Sequence, residues 1–193
     1  MEKKVRWLAG LLLVTAVTFI LLISWGTFDP QPVGSLQWEL PLSPQAITMG
    51  AEAITWLNVT TPVQDYSLRL KMTHQSGERD VLYGLVIGGE NVFWATAVSP
   101  LGYVAIWQQH PPATNNQQPT TNYYFPFQTW PHVQPDANEI WLDVVNGRAT
   151  VRVNRELLWQ GEVAPAAGQI GLWLESFGGT AVVEFQSLQL FAD

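Results

Sequence analysis

The sequence predicts an all-β chain, a two-sheet antiparallel sandwich preceded by one N-terminal transmembrane helix. Three observations carry this. From Tyr66 onward apolar and polar residues alternate with a period of two, the mark of half-buried strands. Pairs such as Asn146-Gly147 and Asn154-Arg155 fall between those runs, where tight hairpin turns need residues that tolerate positive φ. Ahead of them, Lys3, Lys4 and Arg6 lead into a stretch from Trp7 to Trp25 with no ionisable side chain.

That stretch is read first. A helix rises about 1.5 Å per residue, so the two bracketing tryptophans stand roughly 27 Å apart, close to a bilayer's hydrocarbon thickness. Indole rings favour the headgroup level, and one marks each end. Eleven Leu, Ile, Val or Phe residues lie between Leu8 and Ile23; together they favour insertion by about 3–6 kcal/mol. A cleaved signal peptide shares the basic start, but its apolar core spans about 7–15 residues and ends in small side chains. Here Trp25 and Phe28 occupy the exit. The expectation is an uncleaved signal-anchor with the cations retained in the cytoplasm. Residues 1–6 form a cytoplasmic basic N-terminus, 7–25 the helix, 26–35 a short linker stiffened by Pro30 and Pro32, and 36–193 an exported domain.

From Pro30 onward the chain holds six Lys or Arg against fourteen Asp or Glu. An acidic domain repels nucleic acid and anionic headgroups, so no nucleic-acid partner is expected. With no cysteine in the chain, disulfides, thiol catalysis and thiolate metal sites are excluded. Stability must come from a core. Asn58-Val59-Thr60 matches a glycosylation sequon, which matters only in a glycosylating host.

Along the domain, Tyr66, Leu68, Leu70 and Met72 face one way and Ser67, Arg69, Lys71 and Thr73 the other. Val81 to Ile87 is a continuous apolar run, which suggests a strand covered on both faces. Strands follow at Asn91–Val98 and Gly102–Gln109, turned by Ser99-Pro100-Leu101-Gly102. The clearest hairpin joins Glu139–Val145 to Arg148–Val153 through Asn146-Gly147. Leu157-Leu158-Trp159 follows the turn at Asn154-Arg155, and Gln169–Glu175 and Ala181–Phe191 close the chain. In the last strand the apolar phase shifts between Phe185 and Leu188, which predicts a bulge near Gln186-Ser187. Ten or eleven strands are expected. His110 to Asn122 is polar, uncharged and rich in proline, and reads as an exposed loop leading into Tyr123-Tyr124-Phe125-Pro126-Phe127, Trp130 and His132.

Several of these segments together resemble the concanavalin A-like lectin and glucanase superfamily, near its laminin-G-like jelly rolls of the 3-keto-disaccharide hydrolase and family-16-related kind. The residues that carry the resemblance are Tyr83-Gly84-Leu85-Val86-Ile87, Phe93-Trp94, Ser99-Pro100-Leu101-Gly102-Tyr103, and Asn138-Glu139-Ile140-Trp141-Leu142. Val151-Arg152-Val153-Asn154, Gly168-Gln169-Ile170-Gly171-Leu172 and Val183-Glu184-Phe185 complete it. It covers Tyr66 to Phe191 and implies a jelly-roll topology for the sandwich. It also implies carbohydrate binding or processing, often in adhesion or accessory modules. The glucanase branch carries two Glu flanking an Asp at alternate positions of one strand, so that all three share a face. This chain departs from that pattern: Glu139 and Asp143 stand four apart with Trp141 between, and Glu175 and Glu184 stand alone on their strands.

No catalytic residue is therefore assigned. The three histidines, His74, His110 and His132, share no ligand spacing, and no cofactor or metal is expected; calcium held by backbone carbonyls would leave no sequence mark. The candidate site is aromatic. Trp141 is out of phase with Ile140, Leu142 and Val144, Trp173 with Ile170, Leu172 and Leu174, and Trp107 with Val104 and Ile106. If the aliphatic sets face the core, these indoles stand on an outer face with Asp143, Arg152 and Glu175, beside Tyr123 and Tyr124. Flat apolar rings next to hydrogen-bonding groups suit a sugar ring. The competing reading covers that face with the Tyr123–Trp130 segment and makes the tryptophans a second small core. The expected function is a membrane-anchored, extracytoplasmic module that recognises carbohydrate or a cell-surface glycan without catalysis. The alternatives are an accessory subunit that docks the same aromatics on a protein partner, and a glycoside hydrolase.

Overall fold

The computed structural model describes residues 2–24, 30–111 and 119–193, without the side chains of residues 2–6 and 9. The chain divides into two units, Met1–Gln31 and Pro32–Asp193. The first contains α1, Glu2–Ser24. Two of its hydroxyls fold back on the helix: Thr15 Oγ1 donates to the Leu11 carbonyl at 2.9 Å and Ser24 Oγ to the Ile20 carbonyl at 2.8 Å. This satisfies them without water. Among the described residues no helix is long and apolar enough to cross a membrane. The expected span from Trp7 to Trp25 runs beyond them. The Ala9 side chain and Trp25 lie outside, and the unbroken run of described side chains, 10–24, covers only about 22 Å. A helix thus stands where the sequence predicts one, and a transmembrane helix is not shown. Residues 26–29 of the expected linker also lie outside the described residues, and its last residue, Ser35, already opens the first strand.

The second unit is an antiparallel two-sheet sandwich. In chain order its strands are β1 (Ser35–Pro41), β2 (Pro44–Ile47), β3 (Glu52–Thr60), β4 (Tyr66–Gly77), β5 (Val81–Gly88), β6 (Phe93–Val98) and β7 (Tyr103–His110). They continue as β8 (Thr120–Thr129), β9 (Ala137–Val145), β10 (Arg148–Val153), β11 (Glu156–Gly161), β12 (Gln169–Ser176) and β13 (Ala181–Ala192). A seven-stranded sheet runs β1-β13-β4-β9-β10-β11, with β2 also paired to β13; a six-stranded sheet runs β3-β12-β5-β6-β7-β8. Thirteen strands among the described residues exceed the ten or eleven expected. Nine of the thirteen are located along the sequence. The other four are β1, β2 and β3, which are mostly exposed or half-buried and give weak alternation, and β8, which begins at Thr120, inside the segment expected to be a loop. Of that segment, residues 112–118 lie outside the described residues.

The turns follow local chemistry. Asn146 and Gly147 take φ of 50° and 74°, and Val145 pairs with Arg148 across them. Asn154 and Arg155 take 52° and 73° and join β10 to β11. The Asn154 amide then works twice, donating to the His132 carbonyl at 2.7 Å and to Asn138 Oδ1 at 2.9 Å. The bulge in β13 occurs where the apolar phase shifts: Phe185 pairs with Met72 and Ser187 with Lys71, skipping Gln186.

Period-two alternation builds the core. Leu68, Leu70 and Met72 of β4, Ile140 and Leu142 of β9, Val151 of β10 and Phe185 and Leu188 of β13 meet Tyr83, Leu85, Ile87, Trp94, Ile106 and Leu172 of the other sheet. All are buried. The tyrosine phenol in this set loses its solvation, and burial pushes its pKa up to about 12.

The outer face of the seven-stranded sheet is also closed, but by charge. Arg69 of β4 lies opposite Trp141 of β9, and Ser67 opposite Asp143. Arg69 Nη1 sits 2.7 Å from Asp143 Oδ1, its guanidinium carbon lies 4.2 Å above the Trp141 ring, and Ser67 Oγ donates to the same carboxylate at 2.6 Å. Ser67 in turn accepts from the Val33 amide at 2.8 Å, which ties the entry segment to this face. Arg69 is only 4% exposed. Burial pushes its guanidinium down from the ordinary value, against the opposing effect of Asp143. A buried cation that loses the carboxylate paired with it is left largely uncompensated. Asp143→Ala should therefore cost about 3 kcal/mol in urea unfolding, whereas Lys71→Ala, at an exposed side chain of β4, should stay within about 0.5 kcal/mol.

Candidate functional site

The six-stranded sheet is apolar on both faces. Its outer face carries a second buried cluster of Leu82, Val86, Phe93, Ala95, Ala97, Ala105, Trp107 and Trp173, with Ile54 and Trp56 against it. Register explains why two indoles fit here. Trp173 pairs with Gly84, Gly84 with Ala97, and Ala97 with Ala105, so the ring stands beside a rank of small residues on the next three strands. One register row away, Ala95 pairs with Trp107 and Trp107 with Tyr123. The Trp107 and Trp173 rings meet edge to face at 5.1 Å, and Phe93 closes on Trp173 at 5.7 Å. At Gly84 even a methyl group would strike the Thr96 carbonyl, at 2.0 Å from its ideal position, so β5 and β6 could not keep this approach with any side chain there.

Above this floor lies a cleft of about 430 Å³, with walls formed by Tyr123 and Phe127 of β8, Phe177 beyond β12, and the polar side chains of Gln109 and Thr121. Tyr123, Phe127 and Phe177 are 58%, 48% and 47% exposed, so these are the rings a ligand would meet; Trp107 and Trp173, at 6% and 3%, form the base. Tyr103 stacks on Phe127 at 4.8 Å and fixes that wall.

At one end of the cleft two carboxylates face each other. Glu175 of β12 pairs directly with Glu52 of β3, and both line the cleft. Burial raises the Glu52 carboxyl above its ordinary value. Burial first, and then the neighbouring Glu52 charge, raise Glu175. The Trp173 indole N–H partly offsets this by favouring the Glu175 carboxylate, without reaching hydrogen-bond geometry. Like charges directly opposite each other on adjacent strands destabilise a sheet.

Four of the eight residues expected to form one aromatic surface, Trp107, Tyr123, Trp173 and Glu175, do line this cleft. The other four do not, and the single surface as drawn is corrected. Trp141, Asp143 and Arg152 lie on β9 and β10 of the opposite sheet, where Trp141 pairs across to Arg152 and is covered by Arg69. Tyr124 follows the strand alternation away from Tyr123. Its hydroxyl donates to Gln108 Oε1 at 2.5 Å, and its ring packs 5.7 Å from Trp159. Nor are the three tryptophans exposed: Trp141 is 8% accessible, little more than the other two. Outward phase does not mean exposure on a sheet face with a cluster of its own, which is the competing reading of these rings. The Tyr123–Trp130 segment is not a covering loop: up to Thr129 it belongs to β8, the edge strand of the six-stranded sheet, and Trp130 follows directly after it.

Sequence reasoning missed Glu52, Gln109, Thr121, Phe127 and Phe177. Glu52 was out of reach because β3 left no clear alternation. The run of small residues at alternate positions of three adjacent strands, Gly84, Ala97 and Ala105, was the available signal for a face that accommodates large rings. Among the described residues no group of three or more His, Cys, Asp or Glu is placed to hold a metal ion.

No family model matches the chain, and no curated protein sequence matches it. Solved structures do. The chain is similar to a Bacteroides ovatus GH16 protein of a mixed-linkage glucan utilisation locus, solved with a G4G4G3G product, at 7% identity over 81% of this chain and 84% of that one, with a TM-score of 0.54. It is similar to a legume lectin-like domain from Entamoeba histolytica at 12% identity over 86% and 91% of the two chains, with a TM-score of 0.53. It is also similar to the CBM2 module of the evolved Dit protein of Lactobacillus casei BL23 phage J-1, at 9% identity over 83% and 96%, with a TM-score of 0.50. At such identities the likeness concerns architecture alone: the chain shares with these structures a two-sheet antiparallel jelly-roll sandwich.

Proposed function

We propose that this chain is a membrane-anchored recognition module whose sandwich binds carbohydrate in the cleft on the outer face of the six-stranded sheet, without catalysis. The carrying observation is the cleft itself. Exposed Tyr123 and Phe127 rings stand over a rigid indole floor, beside the hydrogen-bonding groups of Gln109, Thr121, Glu52 and Glu175. A pyranose presents apolar C–H faces and a rim of hydroxyls, and this lining offers a surface for each. A volume of about 430 Å³ suits a short stretch of sugar units better than a protein loop with its side chains. The sandwich neighbours, a lectin-like domain and a carbohydrate-binding module among them, are consistent with this use of the fold.

The anchoring part of the proposal rests on α1. Trp7, Leu8, Leu11, Leu12, Leu13, Val14, Val17, Phe19, Ile20, Leu21 and Ile23 are all exposed, so the helix offers apolar side chains around its whole circumference. A helix apolar on every side needs a non-aqueous surrounding. The preceding cations orient it with the sandwich outside the cytoplasm.

Tryptophan fluorescence of the full chain in mild detergent, titrated with neutral hexasaccharides such as cellohexaose, tests the cleft. A saturable change is expected, and Tyr123→Ala should weaken it about tenfold, the loss of roughly 1.4 kcal/mol of ring stacking. A chain that answers no oligosaccharide, neutral or charged, or a Tyr123→Ala variant that binds as well as the parent, would refute the site. For the anchor, the chain should remain in the membrane pellet after alkaline carbonate washing, and Leu13→Arg should release much of it. Recovery of the unaltered chain in the wash would remove the anchor from the proposal.

A further inference from the structure

The facing carboxylates ask for something that the domain does not contain. Glu52 and Glu175 lie directly opposite each other on adjacent antiparallel strands, and both side chains line the cleft. No Lys, Arg or His stands among the cleft's lining residues. The rest of the domain shows where its cations are. Arg69, Lys71, Arg148 and Arg152 sit on strands of the seven-stranded sheet, and Arg155 lies in the turn that joins two of them. Arg79 is directed to Asp136, at 3.6 Å. The repulsion between the two carboxylates is therefore not relieved by a cation of this domain, although their surroundings are partly desolvated and strengthen it.

The surrounding rings point to the form of a relieving ligand. Trp173 is 3% exposed, lines the cleft, and keeps an indole N–H with no hydrogen-bond partner. Trp107 meets it edge to face at 5.1 Å. Aromatic faces attract ammonium groups, the more so where water is partly excluded. Two acidic groups beside aromatic rings thus form a receptor for an organic cation. They repel a uronate or a sulfated sugar as strongly as they attract an amine. A bare divalent cation fits less well, because it takes six or more oxygen ligands and the end of the cleft supplies two carboxylates against apolar rings.

We propose that the cleft recognises a glycan carrying free amino groups, a polymer of de-N-acetylated hexosamine, with one ammonium between Glu52 and Glu175 and an adjoining sugar ring on Tyr123 and Phe127. This rests on the carbohydrate-binding reading of the same cleft and narrows it to a chemical class. No bond is made or broken; the contacts are two charge-assisted hydrogen bonds and a cation–π contact.

The test uses the full chain in detergent and four hexasaccharides: β-1,4-linked glucosamine, its N-acetylated counterpart, cellohexaose and oligogalacturonate. Titrations are followed by tryptophan fluorescence below pH 6.5, where the amines are protonated. The glucosamine hexamer should bind at least tenfold more tightly than the N-acetylated hexamer, and oligogalacturonate most weakly. Glu52→Gln/Glu175→Gln should abolish that preference, while Glu184→Gln, on the other sheet, should keep it. Equal affinity of the parent chain for the glucosamine and N-acetylated hexamers would overturn the proposal while leaving carbohydrate binding in place. So would a preference that survives in the double variant. Calcium chloride at millimolar concentration that reproduces the fluorescence change and is blocked by the double variant would overturn it in favour of a metal. Silence of all four sugars would instead overturn the binding reading beneath it. The ranking of sugars by the parent chain decides the question even if the double variant fails to fold.

Discussion

The six-stranded sheet must bury both of its faces, and most of the domain's particular features follow from that. Its inner face meets the other sheet across the main core, and its outer face carries a smaller cluster around Trp107 and Trp173. A strand buried on one face alone would alternate; β5, from Val81 to Ile87, is buried at every residue. With only one sheet to cover, the outer cluster closes on itself. Large rings lie beside Gly84, Ala97 and Ala105, and edge-to-face contacts fill the gaps that flat stacking would leave. The cleft is what remains above that arrangement.

The two sheets solve the same problem with different chemistry. On the outer face of the seven-stranded sheet a large indole is covered by a cation, Arg69 over Trp141, whose charge is met by Asp143 and whose partner is held by Ser67. On the six-stranded sheet the indoles are met by other rings, and the charges above them are of one sign. A paired charge closes a surface. An unpaired set of like charges keeps one open, because each carboxylate retains what solvation it can find and neither can approach the other. The asymmetry between the faces is thus electrostatic as much as steric, and it places the cleft on one side.

Much of the sandwich was readable along the chain because its rules are local. A hairpin at Asn146-Gly147 needs only two residues that accept positive φ between alternating flanks, and a phase shift between Phe185 and Leu188 must appear as a bulge wherever the strand lies. Strands at sheet edges were less legible. β1, β2 and β3 bury little, and β8 is an edge strand with exposed or half-buried residues throughout. Without a buried face there is no period to detect. The candidate site suffered from the same limit. Alternation correctly set Trp107, Trp141 and Trp173 out of phase with the core, but phase names a face of a strand and does not name the sheet.

By itself the sequence determined the all-β class, the principal turns, the bulge, the acidic balance of the domain and the apolar character of its first helix, since each depends on residues close together in the chain. Tertiary structure alone decided which faces coincide. It put Trp141 under Arg69 on one sheet and Trp107 with Trp173 on the other, because β9 joins β4 while β12 joins β5. It also brought Glu52 opposite Glu175, two carboxylates that stand alone when read along the chain and that repel each other across a single strand spacing. Strand order is a long-range property, set by how two sheets share one core, and no local pattern in the chain encodes it.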